Sequence, residues 1–167
     1  MSEYLSTYGG HDAAAGLSLA VEKLEPFTAA FMHHANESIP PDQLTPCITI
    51  DCNASFEEIS PPNVRRLQDM SPFGAGNPRP VVQVADAVVA EAPRQMGREG
   101  KHLDLRVRPG SPGHSRWLRC VWWNAGSLAG DLAPGMRLDL AVEPKLNTFN
   151  GTTRIEGELR DVRIQRI

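Results

Sequence analysis

From residue 81 onward, apolar and polar residues alternate with period two, which confines this part of the chain to short strands with one face on a core. Leu103, Leu105 and Val107 alternate with Asp104, Arg106 and Arg108; Leu118, Cys120 and Trp122 alternate with Arg119 and Val121; Leu138, Leu140 and Val142 alternate with Asp139 and Glu143. Successive strand side chains point to opposite faces, so each run has one buried and one exposed side. Val81 to Val89, Thr153 to Gly157 and Leu159 to Ile164 bring the total to five or six strands. Turn signals separate them at Pro93, Gly97, Gly100, Pro109-Gly110, Pro112-Gly113, Pro134-Gly135 and Asn150-Gly151. Such spacing predicts a small antiparallel barrel or sandwich. An OB-type barrel, with one short helix near Ser127 to Leu132, fits the count.

The first eighty residues read as mixed α and β. Leu17 to Val21 is expected as a short strand, and Leu24, Phe27 and Phe31 recur at helical spacing through about Asn36. His33 and His34 are neighbours on that helix and point about 100° apart, which suits a solvated face better than shared chelation. Ser38 to Asp42 is a linker by its prolines, and Cys47 to Asn53 then alternates as a strand. Ser60 stands as an N-cap ahead of Pro61, with Val64, Leu67 and Met70 as the buried stripe of a short helix. The fold class is therefore α+β.

Charge divides the chain near residue 70. Residues 1–70 hold three basic against ten acidic side chains, net −7, and residues 71–167 hold fourteen against ten, net +4, which gives the overall −3. Asymmetry of this kind points to a polyanion-binding module joined to something else. With 41% apolar and 22% charged residues the composition is that of a folded chain, and no apolar run approaches the roughly 18 residues of a membrane span. No signal peptide is evident and three cysteines cannot all pair within one chain, so a reducing cytoplasm is the expected location.

Two groups of residues carry candidate chemistry. Gly9 to Gly16 reads as a glycine-rich loop, in which the bare backbone of Gly9-Gly10-His11 lets a ligand come close and the imidazole can donate to a phosphate oxygen; a tight turn with an exposed histidine is the alternative. Arg94, Arg98, Lys101, Arg106, Arg108, Arg116 and Arg119 form a basic stretch opposed only by Glu99 and Asp104, and Trp117, Trp123 and Phe149 are candidates for stacking. Single-strand binders combine such a groove with aromatic platforms; solvated arginines and core tryptophans are the alternative. Cys47, Cys52 and Cys120 lack zinc-site spacing, and no carboxylate–histidine cluster of a self-sufficient metal centre is present.

Five strings in order and spacing carry a resemblance over nearly the whole chain. They are Tyr8-Gly9-Gly10-His11 with Ala14-Ala15-Gly16, the helix bearing Phe27 and Phe31, Pro72-Phe73-Gly74-Ala75-Gly76-Asn77-Pro78-Arg79-Pro80, Gly97 to Leu103, and Asn147 to Gly151. Together they resemble the C-terminal portion of the bacterial RecJ family. The resemblance implies the end of a DHHA1 domain over residues 1–40, a linking strand and helix over 41–80, and an OB domain over 81–167. It implies a 5′-to-3′ single-stranded-DNA exonuclease of repair and recombination that uses Mn2+ or Mg2+, with the DHH catalytic domain missing here. By that resemblance this chain alone holds no catalytic residue, metal or cofactor. Gly9, Gly10 and His11 would touch a substrate phosphate, and the single strand would track along Arg94, Arg98, Lys101, Arg106, Arg108, Arg119, Trp123 and Phe149. Self-association of the truncated first part is expected from its unpaired edge. The runner-up reading is a noncatalytic OB module that binds a protein, such as a single-strand-binding protein.

Overall fold

A computed structural model of the chain describes residues 2–111 and 116–165, so the expected Pro112-Gly113 turn lies outside the described residues. The chain divides into two compact units, Met1–Cys47 and Ile48–Ile167.

In the first unit, β1 (Thr7–His11) and β2 (Ala14–Ser18) form an antiparallel hairpin with Gly9 opposite Gly16, Gly10 opposite Ala15 and His11 opposite Ala14. The glycine-rich segment expected as a loop is thus a strand. Its glycines conceal the period-two signal because they contribute no side chain to either face. Only Gly10 is sterically required, since a Cβ there would lie 2.6 Å from the Ala14 carbonyl oxygen. The strand expected over Leu17 to Val21 begins earlier and ends at Ser18, and Val21 opens a 3-10 turn leading into α1 (Leu24–Ser38). Phe27 meets Phe31 at 5.8 Å and Tyr4 edge-on at 6.5 Å. No described residue of this unit is buried.

The second unit begins with β3 (Cys52–Asn53) and α2 (Pro61–Gln68). Six strands follow: β4 (Val82–Val89), β5 (Arg94–Met96), β6 (His102–Pro109), β7 (Leu118–Trp122), β8 (Arg137–Phe149) and β9 (Thr152–Ile164). They hydrogen-bond in the order β3-β4-β8-β9-β7-β6-β5, and β4 also pairs with β6. The ladder therefore returns on itself through β4, β8, β9, β7 and β6. The β7–β9 and β3–β4 pairings are parallel and the others antiparallel. The result is a sheet-dominated, OB-like arrangement with a 3-10 turn, Gly126–Gly130, between β7 and β8.

Parity places the core where the sequence predicts it. Leu103, Leu105, Val107, Leu138, Leu140 and Val142 are all fully buried. Five details differ. Thr153 to Ile164 is one long strand rather than two, because Gly157 does not break it: a Cβ there would meet Val142 Cγ2 at 2.5 Å and Cys120 Sγ at 3.1 Å, so only glycine fits between β7 and β8. Val121 is buried although it shares the outer parity of Arg119, being flanked across the ladder by Asp104 and Glu158. Met70 lies past the end of α2 and is exposed, leaving Val64 buried and Leu67 half-buried. The strand expected over Cys47 to Asn53 pairs only at Cys52 and Asn53, and Ile48 and Ile50 stay exposed. Ser60 precedes α2 without a side-chain cap, and Pro61 and Pro62 bring no N–H at the first two helical positions.

Candidate nucleic-acid interface

Alternation puts Asp104, Arg106 and Arg108 of β6 and Arg119 of β7 on the outer face of the second unit. Beside them an open groove of about 830 Å³ is lined by Arg106, Arg116, Trp117, Arg119, Phe149 and Arg154, with Asn147 and Glu156 at its floor. The Asn150-Gly151 turn carries Phe149 to the rim. Both turn residues have positive φ, 48° and 75°, as a two-residue type I′ hairpin requires, and Phe149 is 74% exposed.

The arginines differ in what they have left to offer. The Arg106 guanidinium lies 5.0 Å above the Trp117 ring, with Nε 3.2 Å from a Glu91 carboxylate oxygen. Arg119 donates from Nε and Nη2 to Asp104 at 3.2 and 3.1 Å, and it also pairs with Glu156. Desolvation favours losing its proton, but the Asp104 and Glu156 carboxylates outweigh that and push its pKa up. Arg116 donates to the Ile59 carbonyl at 2.7 Å. Arg154 is exposed and has no carboxylate partner among the described residues. Asn147 donates weakly to Glu156 at 3.4 Å.

Of the sequence-predicted residues, the groove brings together Arg106, Arg116, Trp117, Arg119 and Phe149. Arg94 reaches Asp104 at 3.7 Å beyond the groove. Arg98 and Lys101 lie exposed around the 3-10 turn Arg98–Gly100, and Arg108 is exposed with Nη1 on the Pro109 carbonyl. Trp123 stands 44% exposed, edge-on to His102 at 4.7 Å. Arg154, Asn147 and Glu156 were missed by sequence reasoning. The signal that could have found them is the hairpin turn itself, which folds residues 147 and 154 opposite one another.

In the first unit, Gly9, His11, Ala14 and Gly16 share one face of the hairpin, and a Cβ at Gly9 or Gly16 would meet nothing within 4 Å. The Ala13 N–H donates to His11 Nδ1 at 3.2 Å, which assigns the remaining ring proton to Nε2 and leaves that N–H facing outward as a donor. Among the described residues, no three His, Cys, Asp or Glu side chains come together as a metal-holding group, and no helix is long and apolar enough to cross a membrane.

A family model described as the RecJ OB domain matches residues 50–161, which spans the whole grooved face. The chain belongs to the RecJ OB domain family. The single-stranded-DNA-specific exonuclease RecJ of Bacillus subtilis is 26% identical over 162 residues, covering 97% of this chain and 20% of that protein. RecJ of Thermus thermophilus is 29% identical over 161 residues, covering 96% of this chain and 22% of that protein. The crystal structure of the Thermus RecJ in complex with Mg2+ superposes with a TM-score of 0.70 at 26% identity, over 99% of this chain and 24% of that one; the same protein is also solved with Mn2+. The chain thus spans about a fifth of the length of the curated RecJ relatives it matches.

Proposed function

We propose that this chain is the C-terminal substrate-binding region of a RecJ-type exonuclease that degrades single-stranded DNA from the 5′ end in repair and recombination. The observation that carries this reading is the groove, in which an arginine-backed tryptophan, an exposed phenylalanine and an unpaired arginine meet on the outer face of the OB unit. Bases stack on Trp117 and Phe149 while Arg106 and Arg154 take phosphates. Arg119, held by two carboxylates, shapes the floor. Trp123, Arg94, Arg98, Lys101 and Arg108 extend the basic surface beyond the groove. The returning ladder is read as a closed OB-type barrel, and the hairpin with α1 as the end of a DHHA1 domain. There, Gly9, Gly10 and His11 receive the phosphate near the scissile bond, with His11 Nε2–H donating to its oxygen. Mg2+ or Mn2+, with which the Thermus RecJ is solved, would supply the activation of water for hydrolysis, and no group of the described residues would hold it; this chain's residues bind and orient the strand. The enzyme acts in the cytoplasm.

Fluorescence-anisotropy titration of labelled single- and double-stranded oligonucleotides at two salt concentrations tests the reading. Salt-sensitive preference for the single strand is expected. Absence of binding at low salt would overturn it in favour of a protein-binding OB module. In the complete enzyme, His11→Ala is expected to slow cleavage; unchanged cleavage and affinity would remove His11 from the site.

A further inference from the structure

A second cavity, of about 250 Å³, opens between the loop 72–80 and the β8–β9 ribbon, with Phe73, Arg79, Pro80, Lys145 and Glu158 on its walls. The loop is a fixed object. Gly74 and Asn77 bridge as an antiparallel pair, and the Asn77 side-chain amide donates to the carbonyls of Met70 and Pro72 at 2.9 and 3.0 Å. This holds Phe73 in place, and the Arg79 guanidinium lies 4.7 Å over its ring. The acids of the cavity are already occupied: Glu143 accepts from Arg160 at 2.6 Å and Glu158 from Lys145 at 3.1 Å. Desolvation works against ionised Glu158, but hydrogen bonds from Lys145 and Trp123 outweigh it and hold its carboxyl below the usual range. Arg79 is exposed and has no carboxylate partner among the described residues.

The cavity continues the groove. Along β8, Glu143 and Lys145 border the cavity, while Asn147 and Phe149, further along the same face, border the groove. Along β9, Glu158 borders the cavity and Glu156 and Arg154 the groove. Alternate residues of one strand share a face, so Glu143, Lys145 and Glu158 of the cavity lie on the same face as Asn147, Phe149, Arg154 and Glu156 of the groove, while Pro144 and Leu146 carry the cavity round the edge of β8. From Lys145 to Phe149 is about 13 Å of strand, and the Lys145–Glu156 pair at 3.7 Å marks the boundary between them.

We infer that Arg79, backed by Phe73, forms a second nucleotide subsite, where a base of the same single strand stacks on the outer face of the guanidinium. The inference rests on the groove's being a single-strand site. A planar guanidinium sandwiched between a ring and a base is a recurrent platform, and a lysine cannot replace it. The subsite is reached only by a strand long enough to run past the groove.

The test compares oligothymidylates of about 4 and about 16 nucleotides, the span of OB-fold site sizes, against the wild-type chain, Arg79→Ala and Arg79→Lys. Arg79 is exposed, and a matched thermal melt shows that both variants fold. The wild type is expected to bind the long strand more tightly. Both variants are expected to lose roughly fivefold or more of that affinity, the lower end of a lost base stack, with short-strand binding unchanged. Wild-type affinity of Arg79→Ala for the long strand, an equal loss at both lengths, or full rescue by Arg79→Lys would each overturn the subsite. Failure of the wild type to bind either length would overturn the groove reading along with it.

Discussion

Arg106 of β6 and Arg119 of β7 lie directly opposite one another on adjacent antiparallel strands. Like charges in that position are destabilising unless each finds another partner. The two solve the problem differently: Arg106 lies over Trp117 beside Glu91, and Arg119 between Asp104 and Glu156. One cation faces the groove and the other is locked into its floor.

Substitutions should separate these roles. Arg154→Ala and Arg106→Ala are each expected to lower the slope of log affinity against log salt by up to roughly 0.7, the value for one lost single-strand phosphate contact. Arg119→Ala instead leaves Asp104 and Glu156 without their shared cation. It is expected to lower the urea midpoint, a loss that the other two variants do not show.

Stacking residues act through bases. Trp117→Ala and Phe149→Ala are each expected to weaken binding by about 1–3 kcal/mol with the salt slope unchanged, as read by anisotropy. Quenching of tryptophan fluorescence by a bound oligonucleotide should be reduced in Trp117→Ala.

Gly157→Ala is expected to destabilise the second unit by about 1–3 kcal/mol, as overpacking does, because the new methyl would press on Val142 and Cys120. Urea unfolding followed by circular dichroism gives the value. Burial pushes the Cys120 thiol up, so the sulfur that the new methyl meets stays protonated.

Asp139 supplies an acid-dependent term. Hydrogen bonds from Arg163, with the Asp86 N–H and Gln165 also contributing, hold its carboxyl below the ordinary 3.8 despite desolvation. A depressed folded-state pKa means that the ionised form is favoured by folding. The stabilisation is therefore complete above about pH 4 and lost as pH falls through the folded value. Asp139→Asn is expected to flatten this acid limb in urea midpoints measured between about pH 2 and 6.

The first unit buries none of its described residues. A chain comprising residues 48–167 is therefore expected to melt within a few degrees of the whole chain. Residues 1–47 alone are expected to give the circular dichroism of an unfolded peptide.

Much of the second unit was legible in the sequence because it obeys one rule repeated. Leu103, Leu105 and Val107 face inward on one parity, and their neighbours Asp104, Arg106 and Arg108 face outward on the other. That rule fails where a residue answers to two neighbours at once. Val121 has outward parity yet is enclosed by ion-paired residues of the flanking strands, and Gly157 resembles a breaker until the side chains across it are seen. The candidate site was less legible for a related reason. Composition marks Arg119 as basic, but only strand register shows that two carboxylates have already claimed it, and only the hairpin brings Arg154 level with Asn147. The Gly9-Gly10-His11 string reads as a loop because strands are recognised by side chains, which glycine lacks.

The parallel pairing of β7 with β9 also sets the order in which the unit can be completed. The β5–β6, β6–β7 and β8–β9 neighbours can zip from a turn or a nearby strand, and β4 must wait for β6 and β8, but β7 finds its second partner only in β9, which follows all the other strands described. Non-local closure of this kind is slow, since the intervening chain must be ordered before the contact repays it. Glu156, which fixes Arg119, and Arg154, which faces the groove, both arrive on that strand. During synthesis the chain should thus gain its grip on a ligand in one late step, together with the closing of the ladder.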